Sequence, residues 1–140
     1  MLLGLLSFRA VAADNLLIIG DSLSAVYRLP VAESWPTLLN DKWQKEGGKP
    51  TIINASISGD TAEQGLARLS ALLQQHHPRW VLIELGANDG LRGFPPQTIS
   101  QTLTQIISQI KQADAQPLLM QIRLPPNYGR RYGDAFYAIY

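Results

Sequence analysis

Trp80-Val81-Leu82-Ile83-Glu84-Leu85, followed at once by Gly86-Ala87-Asn88-Asp89-Gly90, is the stretch on which the fold turns. Six residues, mostly apolar and partly β-branched, form too short a run for a buried helix and read as a strand covered on both faces. The glycine and Asn-Asp cluster then ends the strand abruptly. Working outward, Leu16-Leu17-Ile18-Ile19 before Gly20, Thr51-Ile52-Ile53-Asn54-Ala55, and Pro117-Leu118-Leu119-Met120-Gln121-Ile122 repeat the pattern. Between them lie helical periodicities. Trp35, Leu38, Leu39 and Trp43 mark a helix from Trp35 to Gln44, ended by Gly47-Gly48-Lys49-Pro50. Leu66, Leu69, Leu72 and Leu73 mark a second from Thr61 to Gln75, capped near Asp60 or Thr61. Ile99, Leu103, Ile106, Ile107 and Ile110 mark a third from Pro96 to Ala113. Apolar strands alternating with helices predict an α/β fold of three layers, doubly wound and flavodoxin-like, around a parallel sheet.

Such a sheet places chemistry beyond the carboxyl ends of its strands. The distinctive polar clusters fall there: Gly20-Asp21-Ser22 after the first strand, Ser58-Gly59-Asp60 soon after the second, Gly86-Ala87-Asn88-Asp89 after the third. Ser22, placed between a strand and a helical turn, is a candidate nucleophile. Unpaired N–H groups at a helix start would favour the charge that develops on it. Taken alone, Ser22 reads equally well as a helix cap. Gly59, without a Cβ, lets its N–H approach a substrate oxygen, and Asn88 brings a carboxamide donor. Together with the Ser22 N–H these would form an oxyanion hole for a tetrahedral intermediate. The structural alternative is that Gly59 and Gly86 serve turns and Asn88 caps a helix.

Composition narrows the classes. The 140 residues suit one domain, 46% are hydrophobic and 16% charged, and the formal net charge is +1. Nothing there points to nucleic acid or an anionic membrane as partner. The chain has no cysteine, which removes disulfides, thiol nucleophiles and cysteine metal sites. The adjacent His76 and His77 lack helical metal-ligand spacing, so no metal is assigned. They precede the third strand, at the rim opposite Ser22, which excludes them as its base. A flavodoxin-like binding or signalling module would need an acidic phosphoacceptor pocket or a phosphate-cradling loop, and neither is evident. At the start, Met1-Leu2-Leu3-Gly4-Leu5-Leu6 and the small-x-small Ala10-Val11-Ala12 predict a shortened signal peptide over 1–12, with the domain over 13–140. A basic residue before the apolar run is missing, and the run is too short to span a bilayer.

The blocks Gly20-Asp21-Ser22-Leu23-Ser24, Asn54-Ala55-Ser56-Ile57-Ser58-Gly59-Asp60-Thr61 and Gly86-Ala87-Asn88-Asp89 occur in order, each after its strand. In this the chain resembles the GDSL/SGNH serine hydrolases over nearly all of its length after the leader. The resemblance implies Ser22 as nucleophile and Ser22, Gly59 and Asn88 as oxyanion hole. It also implies an acyl-contacting loop, Gly90-Leu91-Arg92-Gly93-Phe94-Pro95, whose glycines permit motion and in which Leu91, Arg92 and Phe94 meet the substrate. As a bare pattern that loop is also a plain connection to the third helix. Val26 stands where the closest subfamily usually has glycine, and a branched side chain there would tighten the turn after the nucleophile. The implied activity is hydrolysis of acyl esters (fatty acyl thioesters, lysophospholipids, small esters) through an acyl-serine. No cofactor is implied, and the expectation is a periplasmic or secreted monomer without a stable membrane anchor. Carbohydrate acetylesterases share the same blocks.

The family draws its base from an Asp-x-x-His block near the C-terminus, and the 140 residues contain none. The expectation is therefore an N-terminal portion of the domain, lacking a further strand and helix. As it stands it is inactive, or a remnant able only to bind acyl ligands. The segment from Asp134 to Tyr140 reads as the start of a helix.

Overall fold

The computed structural model describes residues 13–48 and 50–140. The leader expected over 1–12 lies outside the described residues. Four strands, β1 (Ala13–Gly20), β2 (Thr51–Asn54), β3 (Pro78–Glu84) and β4 (Gln116–Leu119), form one sheet in the order β2-β1-β3-β4. Every pairing is parallel: Leu17 lies opposite Ile53 on one side and Val81 on the other, and Leu82 lies opposite Leu118. The expected fold class holds. The order reverses direction between β1 and β3, the switch point at which open α/β sheets build their sites.

Alternation along the central strands sorts the layers. Leu17, Ile19, Val81, Ile83 and Leu85 enter one core with Leu69 and Leu73 of α2 (Ala62–His76) and with α4 (Pro96–Gln112). In α4, Ile99, Leu103, Ile106 and Ile110 form a stripe at most 2% exposed, the spacing of one helical face. Helix α2 comes so close that a Cβ on Gly65 would strike the Leu85 side chain. The last helix, α5 (Arg130–Tyr137), adds Phe136 to this layer. On the opposite face α1 (Trp35–Lys45) packs on β2. There Trp43, Leu16, Pro50, Trp80 and Leu118 line a shallow hollow of about 240 Å³.

Helix α2 starts with reciprocal caps. The Gln64 N–H donates to Thr61 Oγ1 at 3.3 Å and the Thr61 N–H donates to Gln64 Oε1 at 2.9 Å. This satisfies two of the donors that a helix start leaves open. Thr61→Ala should therefore lower stability by about 1 kcal/mol, read as a reduced urea midpoint at unchanged slope; an unchanged midpoint would contradict it.

Several boundaries differ from expectation. Strand β4 stops at Leu119 instead of Ile122: Met120 makes one more bond to the Ile83 carbonyl, and Ile122 is buried off the ladder. A short helix, α3 (Ala87–Leu91), occupies what read as a loop. In α1, Trp35, Leu39 and Trp43 of the expected stripe are half-buried, whereas Leu38 is 55% exposed and Pro36 is buried in addition. Arg130–Tyr137 forms the last helix, starting four residues earlier than expected. No helix among the described residues is long and apolar enough to cross a membrane.

Candidate active site

Beyond the carboxyl end of β1 the chain makes a single turn and does not continue as a helix. The Ala25 N–H donates to the Asp21 carbonyl at 2.7 Å and the Ser24 N–H to the same oxygen at 3.2 Å. The expectation of a helix N-terminus at Ser22 is corrected to this one turn, tightened by the Leu23 N–H donating to Asp21 Oδ1 at 2.9 Å. A short polar side chain that bonds two residues on stabilises such a turn without a helix. Ser22 is exposed within it. Val26 lies outside the left-handed region and is 37% exposed, so valine sits there without backbone strain.

After β2, the Asp60 N–H closes a turn on the Ile57 carbonyl at 3.2 Å. Gly59 lies in it with φ +86°, and a Cβ added there would meet nothing within 4 Å. The left-handed backbone, more than crowding, makes glycine the fitting residue. After β3, Gly86 has φ +114° and its missing Cβ leaves room for the Tyr140 hydroxyl, which donates to the Leu85 carbonyl at 2.8 Å. Asn88 follows in α3.

The Asn88 carboxamide joins these loops. Its Nδ2 donates to the Asp60 carbonyl at 3.0 Å and to Asp21 Oδ2 at 3.3 Å. Those acceptors belong to the residues adjoining Gly59 and Ser22, so three segments far apart in sequence meet at one rim. Arg68 of α2 draws two of them together from behind. Its Nε donates to Asp60 Oδ2 at 2.8 Å, Nη1 donates to the Ala55 carbonyl, and Nη2 reaches the Gly20 carbonyl at 3.5 Å. Asp89 of α3, 4% exposed, accepts the Ala62 N–H at 2.9 Å and so caps α2 from another helix. Burial raises its carboxyl above the usual range, with the Ala62 bond opposing.

Leu91, Arg92 and Phe94 are exposed beside this rim. The stretch that carries them is more tied down than its glycines suggest. Gly90 is buried, and a Cβ on it would come within 2.7 Å of Phe136 and 2.8 Å of Leu124. The Gly93 N–H bonds the Gly90 carbonyl, and the Phe94 N–H bonds that of Asp89, both at 3.0 Å. Gly90 is thus a packing glycine, and Gly93, at φ +72° in open space, is the one turn glycine of the stretch. His76 and His77 end α2 just before Pro78, which pairs with Ala13 at the start of β1, whereas Gly20 pairs with Glu84. At about 3.3 Å per residue the two rims stand roughly 20 Å apart.

Two polar residues of the rim escaped the sequence reading. Glu84, the last residue of β3, is fully buried and accepts the Ser24 hydroxyl at 2.7 Å, and Asp21 is also fully buried. Burial drives Glu84 up to about 8, with the Ser24 bond opposing and the nearby Asp21 adding to the rise. Burial also raises Asp21. The signal was visible: a lone carboxylate inside a strand apolar on both faces has to find a polar partner.

The chain is 67% identical over all 140 residues to the thioesterase 1/protease 1/lysophospholipase L1 of Escherichia coli strain K12, and spans 66% of that protein's length. It is 58% identical over 135 residues to an arylesterase of Vibrio mimicus, covering 96% of this chain and 68% of that one. Among solved structures, the psychrotrophic esterase EstA from Pseudoalteromonas sp., inhibited by monoethylphosphonate, superposes with a TM-score of 0.87 at 49% identity. That match covers 90% of this chain and 69% of that one. Residues 18–140, from the middle of β1 onward and including all three rim segments, match the GDSL-like lipase/acylhydrolase family, and the chain belongs to it.

Proposed function

We propose that this chain supplies the nucleophile and the oxyanion donors of a serine hydrolase that cleaves acyl esters and thioesters through an acyl-serine. The observation that carries the reading is the Asn88 carboxamide, hydrogen-bonded at once to the residue before Ser22 and the residue after Gly59. In this mechanism Ser22 Oγ attacks the substrate carbonyl and its proton passes to a base. The carbonyl oxygen becomes an oxyanion held by the N–H groups of Ser22 and Gly59 and by Asn88 Nδ2. Collapse expels the leaving group with the proton, and water then hydrolyses the acyl-serine by the same steps reversed. The 3.3 Å bond from Asn88 to Asp21 is the longer of its two, and is the one that a substrate oxygen displaces.

The base is an Asp-x-x-His histidine, as the family resemblance implies, and His76 and His77 at the far rim do not replace it. The 140 residues alone are therefore inactive. Relatives described as a thioesterase, protease and lysophospholipase and as an arylesterase support small acyl esters and thioesters as the substrate class. Leu91 and Phe94, 44% and 36% exposed, offer the acyl chain apolar contact, with Arg92 between them. The leader pattern over 1–12 supports a periplasmic or secreted location for a monomeric domain over 13–140.

The test joins this chain to the segment that follows the matched region in the Escherichia coli relative. The joined chain should hydrolyse p-nitrophenyl esters and take a fluorophosphonate label on Ser22, and the 140 residues alone should show no turnover. A joined chain that folds yet takes no label would defeat the reading. Within the joined chain, Asn88→Ala should lower kcat roughly 10²–10³-fold with a smaller change in KM, the loss typical of one oxyanion donor.

A further inference from the structure

Glu84 lies opposite Gly20 in the register of β1 with β3, which brings it beside the next residue, Asp21, at the end of the sheet, both with zero exposure. Asp21 is well supplied with donors: Leu23 N–H on Oδ1 and Asn88 Nδ2 on Oδ2. Glu84 Oε1 accepts from Ser24, but Glu84 Oε2 has no donor among the described residues. A buried carboxylate oxygen without a donor is costly, and two carboxylates in contact repel. One proton on Glu84 Oε2, donated to Asp21, removes both penalties.

Among the described residues, the surrounding charges leave the pair no other neutralising partner. Asp60 faces it from the loop before α2, and Asp89 faces it from α3, with Arg92 near Asp89. Arg68 of α2 commits its guanidinium to Asp60 and to the carbonyls of Ala55 and Gly20. Tyr140, which closes over this rim from the chain end, donates its hydroxyl to Leu85. The rise of Glu84 to about 8, caused first by burial, agrees with a proton held there near neutrality.

We propose that Glu84 is a positioning residue, the neutral acid whose Oε2–H donates to Asp21 while its Oε1 accepts from Ser24, so that it grips both ends of the turn presenting Ser22. This rests on reading Ser22 as the nucleophile. Asp21 and Ser24 bracket Ser22 in sequence, so one side chain from the neighbouring strand fixes the residue before the nucleophile and the second residue after it. Glutamine reproduces both bonds, with its amide N–H toward Asp21 and its carbonyl toward Ser24. Alanine reproduces neither.

The experiment compares the wild-type joined chain with Glu84→Gln and Glu84→Ala in ester hydrolysis across pH. Glu84→Gln should keep kcat within about threefold of wild type at pH 7, and Glu84→Ala should lose roughly tenfold or more with circular dichroism unchanged. The wild type should lose kcat as pH rises past about 8, and Glu84→Gln should not. Equal losses for Gln and Ala, or the same alkaline decline in wild type and Gln, would overturn the proposal. Isotope-edited infrared spectra of the 140-residue chain give a readout independent of turnover. A protonated-carboxyl band near neutral pH should vanish in Glu84→Gln, and its absence from wild type would refute the neutral acid. Failure of every ester substrate would remove the nucleophile reading, and the positioning role with it, while the infrared band still decides where the proton sits.

Discussion

Ser22→Ala in the joined chain should lower kcat for p-nitrophenyl esters by a factor on the order of 10⁴–10⁶ and abolish fluorophosphonate labelling. Without the hydroxyl no acyl-serine forms, and the oxyanion donors can assist only direct attack by water. Those donors are backbone N–H groups and the Asn88 carboxamide, which the substitution leaves in place, so a small residual rate above the uncatalysed reaction should survive. KM should change little, because Ser22 is exposed and its hydroxyl forms no bond on which the turn depends: the turn rests on Asp21 and Ser24. Steady-state kinetics with active-site titration measures both numbers. Retention of more than a tenth of wild-type kcat would rule Ser22 out as the nucleophile.

The second large effect concerns stability. Glu84 titrates at 4.5 when free and at about 8 in the folded protein. Between those values the native chain holds a proton that the unfolded chain has released. Stability from this group is therefore complete below about pH 4.5 and is lost as pH rises through 8, the opposite of a salt-bridged carboxylate. At roughly 1.4 kcal/mol per pH unit, the loss between pH 5 and pH 8 is on the order of 4 kcal/mol. Asp21, also raised, acts in the same direction. Denaturant unfolding of wild type and Glu84→Gln at each pH reads the share of the Glu84–Asp21 pair that depends on Glu84, because the groups away from this pair are common to both. The stability difference between the two should move steadily against wild type across that window. A difference that stays flat with pH would mean that Glu84 is already ionised.

How much of this was legible beforehand differs by element. The central strands β1 and β3 stood out because Leu17, Ile18, Val81 and Ile83 are buried on both faces of the sheet, and only apolar runs survive there. Ser22, Gly59 and Asn88 drew notice because polar and glycine residues interrupt the pattern where strands end. Helix α3 was hidden: Ala87-Asn88-Asp89-Gly90-Leu91 carries a glycine and two residues of low helix propensity. What sustains it is tertiary, with Gly90 packed on Phe136 and Leu124 and Asp89 capping another helix. In α1 the spacing of Leu38 fits a buried face, but hydropathy alone does not reveal that Leu38 stays exposed while Pro36 is buried. The Glu84–Asp21 pair was half legible. The misplaced charge shows in Trp80-Val81-Leu82-Ile83-Glu84, whereas its partner sits 63 residues earlier and becomes a neighbour only through the parallel register of Gly20 with Glu84.

Arg68 carries a last consequence. One planar cation on a rigid helix grips the acidic side chain after the second strand and main-chain oxygens at the exits of both the first and second strands. These two exits, already joined by the Ile57 N–H on the Gly20 carbonyl, are thus tied a second time, so a residue that touches neither Ser22 nor Gly59 helps to set their spacing. Lysine at this position would preserve the charge and lose the forked reach. The two loops would stay linked through the Ile57 N–H and Asn88 but with one tie fewer, loosening the rim while the fold beneath it stayed intact.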